Sequence, residues 1–190
     1  MKTKILNWEN EKALDSAREV ILNGGILVYP TDTIYGLGVN ALNLEAINNL
    51  NLIKNRQWPI SVIIESKEKA SNWLRLPDNE IKNALQYLKA QTTIIFPVKK
   101  NIVENKILGP NNTLGIRFSK HPFCISLANC CKVPITTTSV NRNGKKPKTN
   151  VDEILYSFKN EIDLIIEDGT LMNTASKIYK YEKGNLKNIR

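Results

Sequence analysis

Hydroxyl, amide and guanidinium side chains gather in three short segments of the sequence. The first is Tyr29-Pro30-Thr31-Asp32-Thr33-Ile34-Tyr35-Gly36-Leu37-Gly38. A strand that stops at a proline there presents two threonines, an aspartate and a tyrosine, and hydroxyls with free N–H groups at a strand end suit a small polar substrate. Gly36 and Gly38 would let backbone approach a ligand closely. The second segment is Lys54-Asn55-Arg56. Two cations just past a helix can hold a triphosphate, Arg through a forked contact and Lys as a point charge. The third is Thr136-Thr137-Thr138-Ser139-Val140-Asn141, followed by Arg142-Asn143-Gly144. Strand alternation would aim Thr137, Ser139 and Asn141 to one side, a row of short donors and acceptors able to read a nucleotide or an amino acid. Taken singly, each segment has a plainer reading: an ordinary turn, cations favoured by a helix dipole at its C-terminus, and a threonine-rich strand on a solvated face. Spacing alone leaves both readings open. The basic loop Arg142, Lys145, Lys146 and Lys148 follows directly; RNA, ATP phosphates and solvent are all open to it.

The elements that must position these segments are read from periodicity. Ala13, Leu14, Ala17, Val20 and Ile21 lie on one face of a helix predicted over Glu9 to Asn23, stopped by Gly24-Gly25. Ile26 to Tyr29 reads as a buried strand broken by Pro30. Asn43 caps a helix with the apolar stripe Ala46, Ile47, Leu50 and Ile53. Strands are predicted at Ile60 to Ile64, Thr92 to Phe96, Thr113 to Phe118, Ile135 to Ser139 and Ile162 to Glu167. Helices are predicted at Lys67 to Leu74, Asp78 to Leu88, Pro122 to Cys131 and Val151 to Phe158. Ser176 to Tyr181 and Leu186 to Ile189 close the chain. This intermixing predicts an α/β fold with a mixed sheet.

With 190 residues, 42% hydrophobic and 24% charged, the composition suits one globular domain over residues 1–190. Cys124, Cys130 and Cys131 make an odd set with no CxxC, so neither a disulfide framework nor a zinc site is expected. Met1 to Glu11 lacks the apolar core of a signal peptide, and no run approaches the roughly 20 apolar residues a span needs. A soluble, cytoplasmic protein away from membranes is therefore expected. The formal net charge is +9. That favours polyanionic partners, nucleotides or RNA, but a lysine-rich composition spread over solvated faces accounts for it equally. The single histidine, His121, precedes Pro122 and reads as structural.

In combination the segments are specific. Pro-Thr-Asp-Thr-Ile-Tyr-Gly-Leu-Gly, then Lys54-x-Arg56 after one helix, then Thr-Ser-x-Asn ahead of a glycine, resembles the YrdC/Sua5 family. Gly115-Ile116-Arg117-Phe118 with Pro122 resembles the family's VRxP strand and HP pair. Asp163 to Gly169 resembles its DLILDGG strand, Ala175-Ser176-Lys177-Ile178 stands where it has PSTV, and Leu186 to Arg190 where it has a terminal ILR. The resemblance implies a twisted mixed (parallel and antiparallel) sheet flanked by helices, in the short YrdC-like form. It implies a threonylcarbamoyl-AMP synthase, a nucleotidyltransferase that makes threonylcarbamoyl-adenylate and pyrophosphate from L-threonine, bicarbonate and ATP. Mg2+ would accompany the ATP, and the product would serve N6-threonylcarbamoyladenosine modification of tRNA, with tRNA or the modification complex as partner. Carried over, Thr31, Thr33, Arg117, Thr137 and Ser176 would hold threonine. Lys54 and Arg56 would be catalytic through the phosphates. Thr113, Ser139, Asn141 and Arg190 would join them on ATP, with no resident metal site. The sequence departs from the family's K-x-R-P-x-x-K-P-L run, reading Lys54-Asn-Arg56-Gln57-Trp58-Pro59-Ile60-Ser61-Val62 without the second lysine. The family's W-P-G-P-x-T appears as Leu88 to Thr93 without the Pro-Gly-Pro turn, and Asn143 stands for a serine. A nucleotide- or RNA-binding module of the same kind without synthase activity is the alternative these departures favour.

Overall fold

The computed structural model describes residues 2–57 and 59–190. Among them ten strands run β1 Lys4–Asn7, β2 Leu27–Tyr29, β3 Gly36–Gly38, β4 Ser61–Ile64 and β5 Thr92–Pro97, then β6 Thr113–Phe118, β7 Ile135–Ser139, β8 Leu164–Glu167, β9 Lys177–Glu182 and β10 Asn185–Asn188. They join in one sheet of order β1-β8-β2-β3-β7-β4-β6-β5-β9-β10. Parallel pairs (β1–β8, β2–β8, β4–β6, β5–β9) alternate with antiparallel ones, so the sheet is mixed. Six α-helices accompany it: α1 Ala13–Leu22, α2 Leu44–Lys54, α3 Lys67–Trp73, α4 Asp78–Gln86, α5 Pro122–Cys131 and α6 Val151–Ser157. No helix is long and apolar enough to cross a membrane among the described residues.

Strand alternation sorts the core into two layers. Leu27, Tyr29, Ile63, Leu164 and Ile166 pack under α1 and α5, whereas Val28, Val62, Ile64 and Ile165 pack under α2, α3, α4 and α6. Residues i and i+2 share a face while i+1 takes the other. Burial of each Leu or Ile is worth ~1.5–3 kcal/mol, so both layers contribute. On the α1/α5 side, however, the two helices cover only part of the face. Ser61, Thr93, Arg117 and Thr137, which share that side through the register pairs Ser61–Thr137, Ile63–Arg117 and Thr93–Arg117, line open space instead.

Several boundaries differ from the periodic reading for identifiable reasons. Helix α1 starts at Ala13 rather than Glu9, because Asn7 Oδ1 accepts the Glu9 N–H and Asn10 Oδ1 accepts the Lys12 N–H. Such side-chain bonds offer the backbone an alternative to helix. Strand β1 was not predicted; its partner β8 lies far away in sequence. Nor was β3. Gly38 serves the packing of the sheet rather than a ligand: a Cβ there would lie 2.6 Å from the Thr136 carbonyl and 2.8 Å from the Tyr29 ring. Helix α2 is as expected, with Asn43 Oδ1 accepting from the Ala46 N–H, and α5 opens with Pro122 in its first turn. The three cysteines are free.

Candidate functional site

The uncovered part of the sheet holds a polar cavity of about 160 Å3. Its floor is the hydroxyl row Ser61, Thr93, Thr137 and Ser139, with Arg117 rising from β6. Gly115 makes the row possible, since a Cβ there would run into Ser61 Oγ. Ser176 closes one side, its hydroxyl 3.0 Å from that of Thr93. Arg190 reaches over from the chain end and donates to the Ser176 carbonyl at 3.2 Å. Tyr35, Ile34 and Ala175 complete the wall.

Arg56 enters from the opposite rim, donating from Nη2 to Thr138 Oγ1 at 2.9 Å. Its placement follows from the end of α2. Asn55 takes a left-handed conformation (φ 50°), which asparagine tolerates better than most residues. The chain turns there, so the two cations around it diverge. Arg56 goes to the cavity. Lys54 stays on the helix, 1% exposed, and donates to the Ser139 carbonyl and to Asn141 Oδ1, the latter at 2.9 Å. Burial, with the nearby Arg56 charge, lowers its ammonium from 10.5 to about 7. The α2 carbonyls are met from the same loop: Asn143 N donates to Lys54 O at 2.8 Å, and Arg142 donates to Ile53 O while pairing with Glu161. Asn141 in turn donates to the carbonyls of Arg142 and Lys145. Lys54 and Asn141 therefore stand behind the cavity wall and hold Ser139 in it. Arg142 is a helix cap and not a free loop cation, which leaves Lys145, Lys146 and Lys148 of the basic loop.

Arg117 is 6% exposed, and its Nη2 donates to Thr31 Oγ1 at 3.1 Å, to Thr33 Oγ1 at 2.7 Å and to Asp32. Thr31 and Thr33 are buried behind it and reach the cavity only through this guanidinium. Burial opposes ionisation of Asp32, yet the Arg117 charge and donors from Arg117, the Gln91 N–H and Ser119 hold its carboxyl below the ordinary range. Arg117 Nε is buried without a partner. Arg56 Nε is likewise buried without a partner, and a buried donor without a partner costs ~1–3 kcal/mol. Burial and the Arg190 charge lower the Arg56 guanidinium. Among the described residues neither Arg56 nor Arg190 has a carboxylate partner. Two like charges facing one space make an anion site.

A second, less polar cavity of about 360 Å3 adjoins the first and shares Pro59, Ser61 and Ile178 with it. Ile95, Ile189 and Gly115 line it, and Thr113 stands here rather than in the polar cavity. Of the residues singled out from sequence, Arg56, Arg117, Thr137, Ser139, Ser176 and Arg190 thus meet around one space. Tyr35, Ser61, Thr93 and Thr138 carry no assigned role in the sequence reading; the hydroxyl-bearing short motifs hold Tyr35 and Thr138, Ser61 and Thr93 fall in the two departing stretches, and strand register brings the latter pair to the cavity. His121 is structural: its Nδ1 accepts from the Phe123 N–H and its Nε2 lies 3.1 Å from Asp168. Trp58, inside the departure from the family's lysine run, lies outside the described residues.

Residues 19–190 match the Sua5, YciO and YrdC family model, described as telomere recombination. A threonylcarbamoyl-AMP synthase of Hydrogenovibrio crunogenus is 30% identical over 183 residues, which cover 93% of this chain and 96% of the relative. A doubly substituted P. abyssi Sua5 has a similar structure, with a TM-score of 0.89 at 25% identity, covering 99% of this chain and 60% of that one. P. abyssi Sua5 complexed with L-threonine gives a TM-score of 0.84 at 24% identity, covering 95% of this chain and 54% of that one. This chain therefore spans little more than half of that solved protein's length. The match over residues 19–190 and the likeness of the fold agree: the chain belongs to the Sua5/YciO/YrdC family.

Proposed function

We propose that this chain is a threonylcarbamoyl-AMP synthase, converting L-threonine, bicarbonate and ATP into threonylcarbamoyl-adenylate and pyrophosphate. One observation carries the reading: a hydroxyl-floored cavity ringed by Arg56, Arg117 and Arg190 adjoins a less polar cavity across the shared residues Pro59, Ser61 and Ile178. The first suits an amino acid next to phosphates, the second a base and ribose. The name of the Hydrogenovibrio relative and the threonine complex of P. abyssi Sua5 support the same assignment.

In this reading the threonine amine adds to bicarbonate, the N–C bond forming as a C–O bond breaks and water leaves, and the resulting N-carboxylate oxygen attacks the α-phosphorus of ATP. Pyrophosphate leaves with the bond electrons. Little covalent work falls to the protein, which orients three substrates and neutralises developing charge. Arg117 meets the threonine carboxylate, with Thr137 and Ser176 beside it and Thr31 and Thr33 fixing the guanidinium. Arg56 and Arg190 take the phosphates. Ser139 and Thr113 meet the nucleotide, and Lys54 and Asn141 fix Ser139 from behind. Mg2+ would accompany ATP and neutralise phosphate charge beside Arg56 and Arg190. Residues 1–190 act as one domain, since a single sheet supports both cavities. The adenylate would serve threonylcarbamoylation of tRNA adenosine, and Lys145, Lys146 and Lys148 offer a surface for RNA. Pyrophosphate release tests the assignment: it should require threonine and bicarbonate together, and release indifferent to threonine would refute it.

A further inference from the structure

Tyr35 is fully buried, yet the proposed chemistry gives its hydroxyl no task. The ring lines the polar cavity. The hydroxyl points the other way, accepting from the Asp168 N–H at 2.8 Å and donating to the Gly169 carbonyl at 2.8 Å. Those two residues begin the stretch that leaves β8 and reaches β9. Residues 168–176 have no helix or strand, Gly169 sits at φ +61°, and Met172 is 80% exposed. The stretch nevertheless returns Ala175 and Ser176 to the cavity wall. Apart from Tyr35, its backbone has a bond from the Leu171 N–H to the Thr149 carbonyl (2.8 Å) and the Arg190 contact at Ser176. The Asp168 carboxylate also meets His121 at 3.1 Å. Burial pushes the Tyr35 phenol up, so its proton remains available for Gly169 at neutral pH.

We propose that Tyr35 is a positioning residue: its hydroxyl pins the start of the 168–176 segment so that Ser176 is delivered against Thr93 on the ligand side of its own ring. One side chain thereby couples the wall formed by the Tyr35 ring to the wall formed by Ser176. A ligand seated between them is contacted by both, and the segment's position sets how well it is held.

The test is Tyr35→Phe, which keeps the ring and removes both bonds. Amide hydrogen exchange should accelerate in peptides covering 168–176 and stay unchanged in β6. The KM for threonine should rise roughly 10-fold, the scale of losing two neutral hydrogen bonds, with kcat changed much less. This kinetic arm rests on the synthase reading; the exchange arm does not, so inactivity of the wild-type chain would strike that reading alone. Unchanged exchange in 168–176 overturns the proposal. Should the variant fail to fold, wild-type exchange still decides: the Asp168 amide should be protected while those of Gly169 and Thr170 are not, and an unprotected Asp168 amide overturns it equally.

Discussion

Replacing Lys54 with Met tests whether a buried ammonium ties α2 to β7. The side chain is 1% exposed, and burial aided by the Arg56 charge lowers its pKa from 10.5 to about 7. That difference corresponds to ~5 kcal/mol against the charged form. The Lys54 hydrogen bonds to Ser139 O and Asn141 Oδ1 tie α2 to β7, and Lys54→Met, which keeps the buried stem and removes both, should cost ~1–3 kcal/mol at pH 7. The pH dependence is sharper. The unfolded lysine keeps its proton up to its ordinary value, whereas the folded one releases it near 7. Between those values the unfolded state binds more protons, so stability rises with pH. Integrated from pH 7 to 9, wild type should gain ~2 kcal/mol that the variant does not. Cys124 and Cys131, pushed up to about 12 chiefly by burial, act in the opposite sense once the unfolded thiols ionise, but equally in both proteins. Urea unfolding under reducing conditions at pH 7, 8 and 9 measures the difference. Parallel pH profiles for the two proteins would refute a titrating Lys54.

Arg56→Ala should weaken ATP binding by ~1.5–3 kcal/mol, the worth of a charged hydrogen bond, without lowering the urea midpoint; a lower midpoint with unchanged ATP affinity would make Arg56 structural. Deleting Arg190 should raise the KM for ATP although terminal residues are normally dispensable, because its guanidinium joins Ser176 to the cavity rim; unchanged ATP kinetics would remove it from the site. Arg142→Ala should destabilise the fold by ~1–2 kcal/mol through loss of the Ile53 carbonyl cap, the Glu161 pair and the Phe158 ring contact; an unchanged urea midpoint would return Arg142 to the surface loop.

Much of the fold is legible in local sequence because its determinants are local. Asn43 as a cap and the stripe Ala46, Ile47, Leu50 and Ile53 define α2, and Pro122 at its start defines α5. What fails to read is non-local. Nothing within Lys4–Asn7 announces a strand whose partner is Leu164–Glu167, and Gly36-Leu37-Gly38 resembles a ligand loop until β2 and β7 flank it. The site divides likewise. The motif residues Arg56, Arg117, Thr137, Ser139, Ser176 and Arg190 converge because each sits on or beside a strand of one sheet face. Ser61 and Thr93 lie in the two stretches that depart from the family's runs, and they join the site through register with Thr137 and Arg117. Lys54 and Arg56 look alike as a cation pair; only the left-handed turn at Asn55 sends one into the core and the other to the cavity.

If the two joined cavities assemble threonine, bicarbonate and ATP into one adenylate, the bicarbonate carbon ends up in a nucleotide. Incubating the chain with ATP, Mg2+, L-threonine and carbon-labelled bicarbonate, and then separating nucleotides, measures this directly. A labelled adenylate should form with threonine and be absent when threonine is omitted. ATP turnover that leaves the label in free bicarbonate, or no labelled adenylate from a folded chain that binds ATP, would contradict it.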